Sequence, residues 1–173
     1  MCAGPGLWSV KDGAIVGSTK PDGIAANTYL CSDRIYSDFE LTCKVKLLGP
    51  VTANSGIQIR SELIDAKQFI ARGPQCDIGE GWWGSLYDEG GAGMLQEADK
   101  AIVNKALKAD DFNELQVRCI GQRVIIKLNG KVTVDKVFPK LPSRGIIAWQ
   151  LHKGLGFEVV IKDIEFKELP VVK

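Results

Sequence analysis

The sequence predicts an all-β domain of the sandwich or barrel type. Hydrophobic residues alternate with a period of two, turn residues separate the runs at short intervals, and helical periodicity is nearly absent. Nineteen glycines, most of them between the runs, strengthen the reading. The clearest strand is Phe39 to Leu47, with Phe39, Leu41, Cys43, Val45 and Leu47 on one face and Glu40, Thr42, Lys44 and Lys46 on the other. One side therefore meets a core and the other meets water. From Asn54 to Arg60 the same rule turns Ile57 and Ile59 inward and leaves Asn54, Gly56, Gln58 and Arg60 opposite. From Gln75 to Ile78 it turns Cys76 and Ile78 inward and Gln75 and Asp77 outward. The segment Gly73 to Gly93, rich in glycine and holding Trp82, Trp83 and several carboxylates, has the composition of a functional loop. Lys100 to Leu107 is the single helical candidate, one or two turns long, so helix content is expected to be small. Leu115 to Ile120, Arg123 to Leu128 and Leu128 to Val134 form a meander through Gly121-Gln122 and Asn129-Gly130. The Asn-Gly pair suits a type I′ turn because both central residues need positive φ. Ile147, Trp149 and Leu151 point inward while Ala148, Gln150 and His152 point outward. Phe157 to Phe166 closes the fold as a long strand, its alternation shifting at Asp163 as a bulge near Lys162-Asp163 would require.

The chain has 173 residues, and 22 Lys plus Arg against 21 Asp plus Glu leave a net charge of +1. That length suffices for one core without staples. No repeat, low-complexity tract or linker divides it, so residues 1–173 read as a single domain. A near-neutral chain with scattered basic residues offers no field for a nucleic-acid backbone. No apolar stretch approaches the roughly 20 residues that span a bilayer, and the first residues lack a charged region followed by an apolar one. The chain as given is thus expected neither to span a membrane nor to carry an export signal. Five cysteines, Cys2, Cys31, Cys43, Cys76 and Cys119, are widely spaced and form no CxxC pair. They read as small buried apolar residues rather than a zinc or redox motif.

Three strands thus offer amides and ionisable groups to one face. Brought together in one sheet, they make a polar groove able to hydrogen-bond a hydroxyl-rich ligand, with Trp82, Trp83 and Tyr87 available for stacking. The competing reading is an ordinary solvent face, with the two tryptophans serving as a loop's own anchor. His152 is the sole histidine and so the one imidazole available for proton transfer. Asp77, Glu80, Asp88 and Glu89 are candidates for a carboxylate pair, a weak signal without distances. Neither a GxSxG elbow nor an HExxH pair occurs, and no phosphate-cradling loop is visible, which argues against α/β-hydrolase, zincin and nucleotide chemistry.

Several strings, in order, resemble the 3-keto-disaccharide hydrolase domain family. They are Leu7-Trp8-Ser9-Val10-Lys11-Asp12-Gly13, Asp38-Phe39-Glu40-Leu41, Asn54-Ser55-Gly56-Ile57-Gln58-Ile59-Arg60 and Gln75-Cys76-Asp77-Ile78-Gly79. Trp83-Gly84-Ser85-Leu86-Tyr87-Asp88-Glu89, Leu128-Asn129-Gly130 and Trp149-Gln150-Leu151-His152 complete the set, which covers nearly the whole chain. The resemblance implies a two-sheet antiparallel β-sandwich, a concanavalin A-like jelly roll, with a carbohydrate-facing concave sheet. It also implies cleavage of glycosides already oxidised at C3, by base-assisted elimination and hydration. Fitted to that chemistry, His152 is the expected base, Arg60 the cation near the enolate oxygen, and Asp77 an orienting group or the ligand of a divalent metal. Asn54, Gln58, Gln75 and Gln150 are expected to hold substrate hydroxyls, with Trp83 and Tyr87 lining the groove. No further metal ligand is assigned. Two departures stand out: family members usually begin with a Leu-Phe-Asn-Gly type segment for which Met1 to Gly6 leaves no room, and they are often exported from bacterial cells. An edge segment is therefore expected to be absent, and localisation stays open between periplasmic or secreted and cytoplasmic. The alternative function is a non-catalytic, lectin-like carbohydrate-binding module, since the fold does not fix the activity.

Overall fold

A computed structural model describes residue 4 and residues 6–170. Thirteen strands and one short helix follow in order: β1 (Trp8–Lys11), β2 (Ala14–Ser18), β3 (Thr28–Cys31), β4 (Phe39–Leu48), β5 (Asn54–Asp65), β6 (Ile70–Gly79), β7 (Leu86–Glu89), β8 (Gly93–Gln96), α1 (Lys100–Ala106), β9 (Asn113–Ile120), β10 (Arg123–Leu128), β11 (Lys131–Val137), β12 (Ile146–Leu151) and β13 (Glu158–Glu168). They form two antiparallel sheets. One has seven strands in the order β1-β2-β13-β4-β9-β10-β11, and the other six in the order β3-β12-β5-β6-β7-β8. The expected all-β sandwich with little helix is therefore observed.

A single core fills the space between the sheets. Phe39, Leu41, Cys43 and Val45 of β4, Leu115, Val117 and Cys119 of β9, and Val159 and Ile161 of β13 meet Ile57 and Ile59 of β5, Cys76 and Ile78 of β6, and Ile147, Trp149 and Leu151 of β12. Every residue of this set follows the alternation seen in the sequence. Cys43, Cys76 and Cys119 are free thiols, and they and Cys31 are buried. Desolvation pushes the Cys43 and Cys119 thiols up to about 12, so they act as small apolar residues. Cys2 lies outside the described residues.

The local turn chemistry also follows from the residues. Asn129 and Gly130 sit at φ 47° and 77°, as a type I′ turn needs. The closing strand slips register between Lys162 and Glu165, with Asp163 at φ 51°, so the bulge lies where the apolar pattern shifts. Asp99 caps α1 by accepting from the Ala101 and Ile102 backbone amides at 2.7 and 3.4 Å.

A second bulge, hidden in the sequence, governs the site. Gln58 and Ser61 of β5 pair with Ala148 and Ile146 of β12, so two residues of β5 face one of β12. Arg60 sits there at φ 51°. Gly145 admits the bulge, because a Cβ there would lie 2.2 Å from the Arg60 carbonyl carbon. Beyond it the parity of β5 reverses: Ser61 hydrogen-bonds Gln58 on the outer face and Leu63 packs against a small outer cluster of Tyr29, Cys31, Ala71, Ile146 and Ala148.

Candidate active site on the six-stranded sheet

The outer face of the six-stranded sheet carries a cleft of about 290 Å³ lined by Asn54, Gln75, Asp77, Tyr87, Gln150 and His152, with Asn27, Trp82, Glu89, Met94 and Lys153 on its walls. Register explains the convergence. Gly56 lies opposite Asp77, Gln58 opposite Gln75, and Gln75 opposite Tyr87, so side chains from three neighbouring strands stand in adjacent rows. Gly56 is needed in this floor, because a Cβ there would come within 2.3 Å of the Gln75 side chain. Ser55 donates to the Gln150 carbonyl at 2.7 Å and ties β5 to β12 beneath the cleft.

Asp77 is the chemically distinctive group. Its backbone is held by the tight turn after β6, with Asp77 N–H donating to Ser85 O and Gly84 N–H to Asp77 O, both at 3.0 Å. The residue is 7% exposed, and one carboxylate oxygen accepts from Gln75 Nε2 at 2.6 Å. Burial, helped by the negative charge of Glu89 and opposed by the Gln75 bond, pushes this carboxyl up to about 7. A group with that proton affinity exchanges protons at neutral pH, as a general base or acid must.

His152 follows β12 half-buried, with Nδ1 at 2.7 Å from the Lys153 carbonyl oxygen. A carbonyl only accepts, so Nδ1 carries the hydrogen and Nε2 is the nitrogen left for proton exchange. Gln150 donates through Nε2 to the Tyr29 hydroxyl at 3.0 Å, while its buried Oε1 has no partner. Desolvation raises the Tyr29 phenol to about 12, so it stays neutral. The unpartnered Gln150 oxygen is a ready acceptor for a ligand hydroxyl. Asn27 bridges the walls, accepting from Lys153 N–H at 2.9 Å and donating to Glu89 at 3.4 Å.

Three of the expected site residues take other places. Arg60 does not reach the cleft. The bulge turns its guanidinium to the edge of the sandwich, where it donates to Ser37 O, to Gly121 O and, at 2.7 Å, to Asp38 Oδ1, with both charged side chains almost fully buried. Trp83 is buried in the core between the sheets, and the half-exposed Trp82 takes its place on the cleft wall. Gln58 is fully buried behind Gln75, to which it donates at 2.9 Å, and does not line the cleft. As for the divalent metal, no three His, Cys, Asp or Glu side chains converge as a metal-holding set among the described residues. The donor set does not fit a cation cage. Asn27, Met94 and Lys153 carry no sequence signal; only the adjacency of Lys153 to His152 could have pointed to it.

One family, described as a 3-keto-alpha-glucoside-1,2-lyase-like domain, matches residues 2–167. The chain belongs to that family. No curated protein matches it. Among solved structures it is similar to a Parabacteroides distasonis protein named a candidate glycosyl hydrolase, at 22% identity and a TM-score of 0.68, over 96% of this chain and 92% of that one. It is also similar to the Bacillus subtilis carbohydrate-binding module CBM66, at 16% identity and a TM-score of 0.72, over 96% of this chain and 94% of that one. A Bacillus subtilis protein of galectin-like fold aligns at 10% identity and a TM-score of 0.72, over 99% and 89%. At these identities the likenesses show the sandwich fold alone. Among the described residues no helix is long and apolar enough to cross a membrane.

Proposed function

We propose that the chain cleaves glycosides carrying a ketone at C3, by elimination across C1 and C2. The observation that carries this reading is a buried carboxyl, Asp77, with a proton affinity near neutrality on the floor of an amide-lined cleft, in a member of a 3-keto-glucoside lyase-like family. The C3 ketone acidifies the C2 hydrogen, and Asp77 takes that proton. The C2–H electron pair forms an enolate with its charge on the C3 oxygen. On collapse, C3=O returns, C1=C2 forms and the C1–O bond breaks. The leaving oxygen takes a proton through His152 Nε2, the ring nitrogen left for proton exchange. Addition of water across C1=C2 then completes hydrolysis. With Arg60 committed elsewhere, Lys153 is the basic side chain in the lining available to the enolate oxygen. Gln150 Oε1 and Asn54 hold hydroxyls, and Trp82 and Tyr87 flank the sugar ring.

The test is incubation of the purified protein with a 3-keto α-glucoside and with its unoxidised parent, following enone absorbance and released sugar. Cleavage is expected for the keto substrate alone, with kcat/KM falling below about pH 7 as Asp77 takes up its proton. Asp77→Asn is expected to lose about 100-fold or more in kcat, the usual range for a general base. Binding of both sugars without turnover of either would overturn catalysis and leave a recognition surface, the reading that the likeness in fold to a binding module favours.

A further inference from the structure

Behind Asp77 runs an unbroken line of buried polar side chains that the elimination does not use directly. Ser61 Oγ donates to Gln58 Oε1, Gln58 Nε2 to Gln75 Oε1 at 2.9 Å, and Gln75 Nε2 to Asp77 Oδ1 at 2.6 Å. Gln58, Ser61 and Gln75 are at most 3% exposed, so water does not substitute for a missing bond. Every donor in this line points toward Asp77, which suits an ionised carboxylate. A carboxylic acid in the same place also has a hydrogen to give, and when that hydrogen is on Oδ1 it faces the Gln75 N–H instead of an acceptor.

The line has a second complete arrangement. A half-turn of both amide groups lets a protonated Asp77 donate to Gln75 Oε1, Gln75 Nε2 to Gln58 Oε1, and Gln58 Nε2 to Ser61 Oγ. Ser61 then has acceptors waiting, Pro74 O at 3.2 Å and Ile59 O at 3.3 Å. No atom of the line is left without a partner in either arrangement, and the side chains keep their shape because amide oxygen and nitrogen are nearly the same size. The β5 bulge makes this line: it brings Ser61 onto the face of Gln58, and the clearance at Gly56 lets Gln75 lie across the strand.

We propose that Gln58, Gln75 and Ser61 are positioning residues forming a reversible amide relay, which turns over as Asp77 gains and loses its proton and keeps it hydrogen-bonded in both states. Its value to turnover rests on Asp77 being the base proposed above; its existence does not. The titratable and charged groups that share the cleft with Asp77 are Tyr87 and Glu89 on β7 and His152 and Lys153 after β12, with Gln75 on its own strand as its hydrogen-bond partner. Of these, Glu89 and His152 are the ones whose influence a control must separate from that of Asp77, and Asp77→Asn is that control.

The experiment is NMR on the free protein, without substrate, so that a failure to turn over keto-glycosides leaves its outcome intact. The side-chain carboxyl carbon of Asp77 and the side-chain amide signals of Gln75 and Gln58 are followed from acid to alkaline pH. Gln58 does not touch Asp77 in the line, so a merely structural Gln58 stays flat. The relay makes both amides move with the midpoint of Asp77. The movement is expected to vanish at both amides in Asp77→Asn. In Gln75→Leu, which cuts the line, Gln58 is expected to become independent of pH while Asp77 still titrates. A Gln58 amide that is flat in the parent protein overturns the relay, and so does one that still moves in Gln75→Leu. Should Asp77→Asn fail to fold, Gln75→Leu decides alone.

Discussion

At the scale of one residue, a carboxyl set among amides makes the fold sensitive to pH. Asp77 has an ordinary value of 3.8 when the chain is unfolded and about 7 when burial surrounds it. Between those values the folded protein binds more protons than the unfolded one, so stability falls as pH rises. The contribution is fully present below the unfolded value and is lost through about pH 7. Asp77→Asn carries no charge to desolvate, and its amide oxygen can still accept from Gln75. Each pKa unit is worth about 1.4 kcal/mol, so the variant is expected to be more stable than the parent by on the order of 3–4 kcal/mol at about pH 8 and equal to it near pH 4. Urea midpoints at the two pH values check this; a difference independent of pH would show that desolvation of the charge is not what raises Asp77. At this scale the sequence was only half legible. Polar residue types on three strands marked Asp77, Gln75, Gln150 and His152, because period two fixes which face a residue takes. It did not separate Trp82 from Trp83, since neighbours in a tight turn point apart and the turn itself decides which one meets the core.

At the scale of the element, β5 shows why Arg60 was misplaced. Ile57, Ile59 and Leu63 all fall on odd positions, so simple alternation puts them on one face and betrays no irregularity. The bulge at Arg60 nevertheless sends Leu63 to the outer cluster. The glycines that permit it, Gly73 and Gly145, come from distant parts of the chain, which is why no local pattern reveals it. The β13 bulge was legible because there the apolar spacing itself shifts, from Ile161 to Ile164. Arg60 instead ties β5 to the start of β4 and to the β9–β10 turn through Asp38 and Gly121, whose N–H also donates to Asp38 at 3.0 Å. Arg60→Met leaves Asp38 buried without its cation, and breaking such a pair costs about 3–5 kcal/mol. The folded fraction of this variant is expected to retain kcat/KM within a few-fold. A cation acting on the enolate would give the reverse result, with turnover lost and the denaturant midpoint unchanged.

At the scale of the whole molecule, the two faces of the six-stranded sheet have different duties. The inner face shares one continuous core with the seven-stranded sheet. The outer face is divided between a dry cluster around Tyr29 and Ala148 and the polar cleft around Asp77. That the cleft belongs to the sheet with the mixed amides rather than the Lys and Thr face of β4 followed from residue type, but the division of the outer face did not, because it depends on which strands become neighbours. A single core makes the two sheets one cooperative unit, so a ligand held on one sheet should stabilise both. The unoxidised parent α-glucoside, bound without turnover at about 100 times its Kd, adds about 2.7 kcal/mol to the native state. The slowest-exchanging amides of β4 and β9, remote from the cleft, are then expected to gain the same roughly 100-fold protection as those of β5, β6 and β12. Protection confined to the six-stranded sheet would mean that the sheets open separately, and that the shared core does not couple the cleft to the far side of the sandwich.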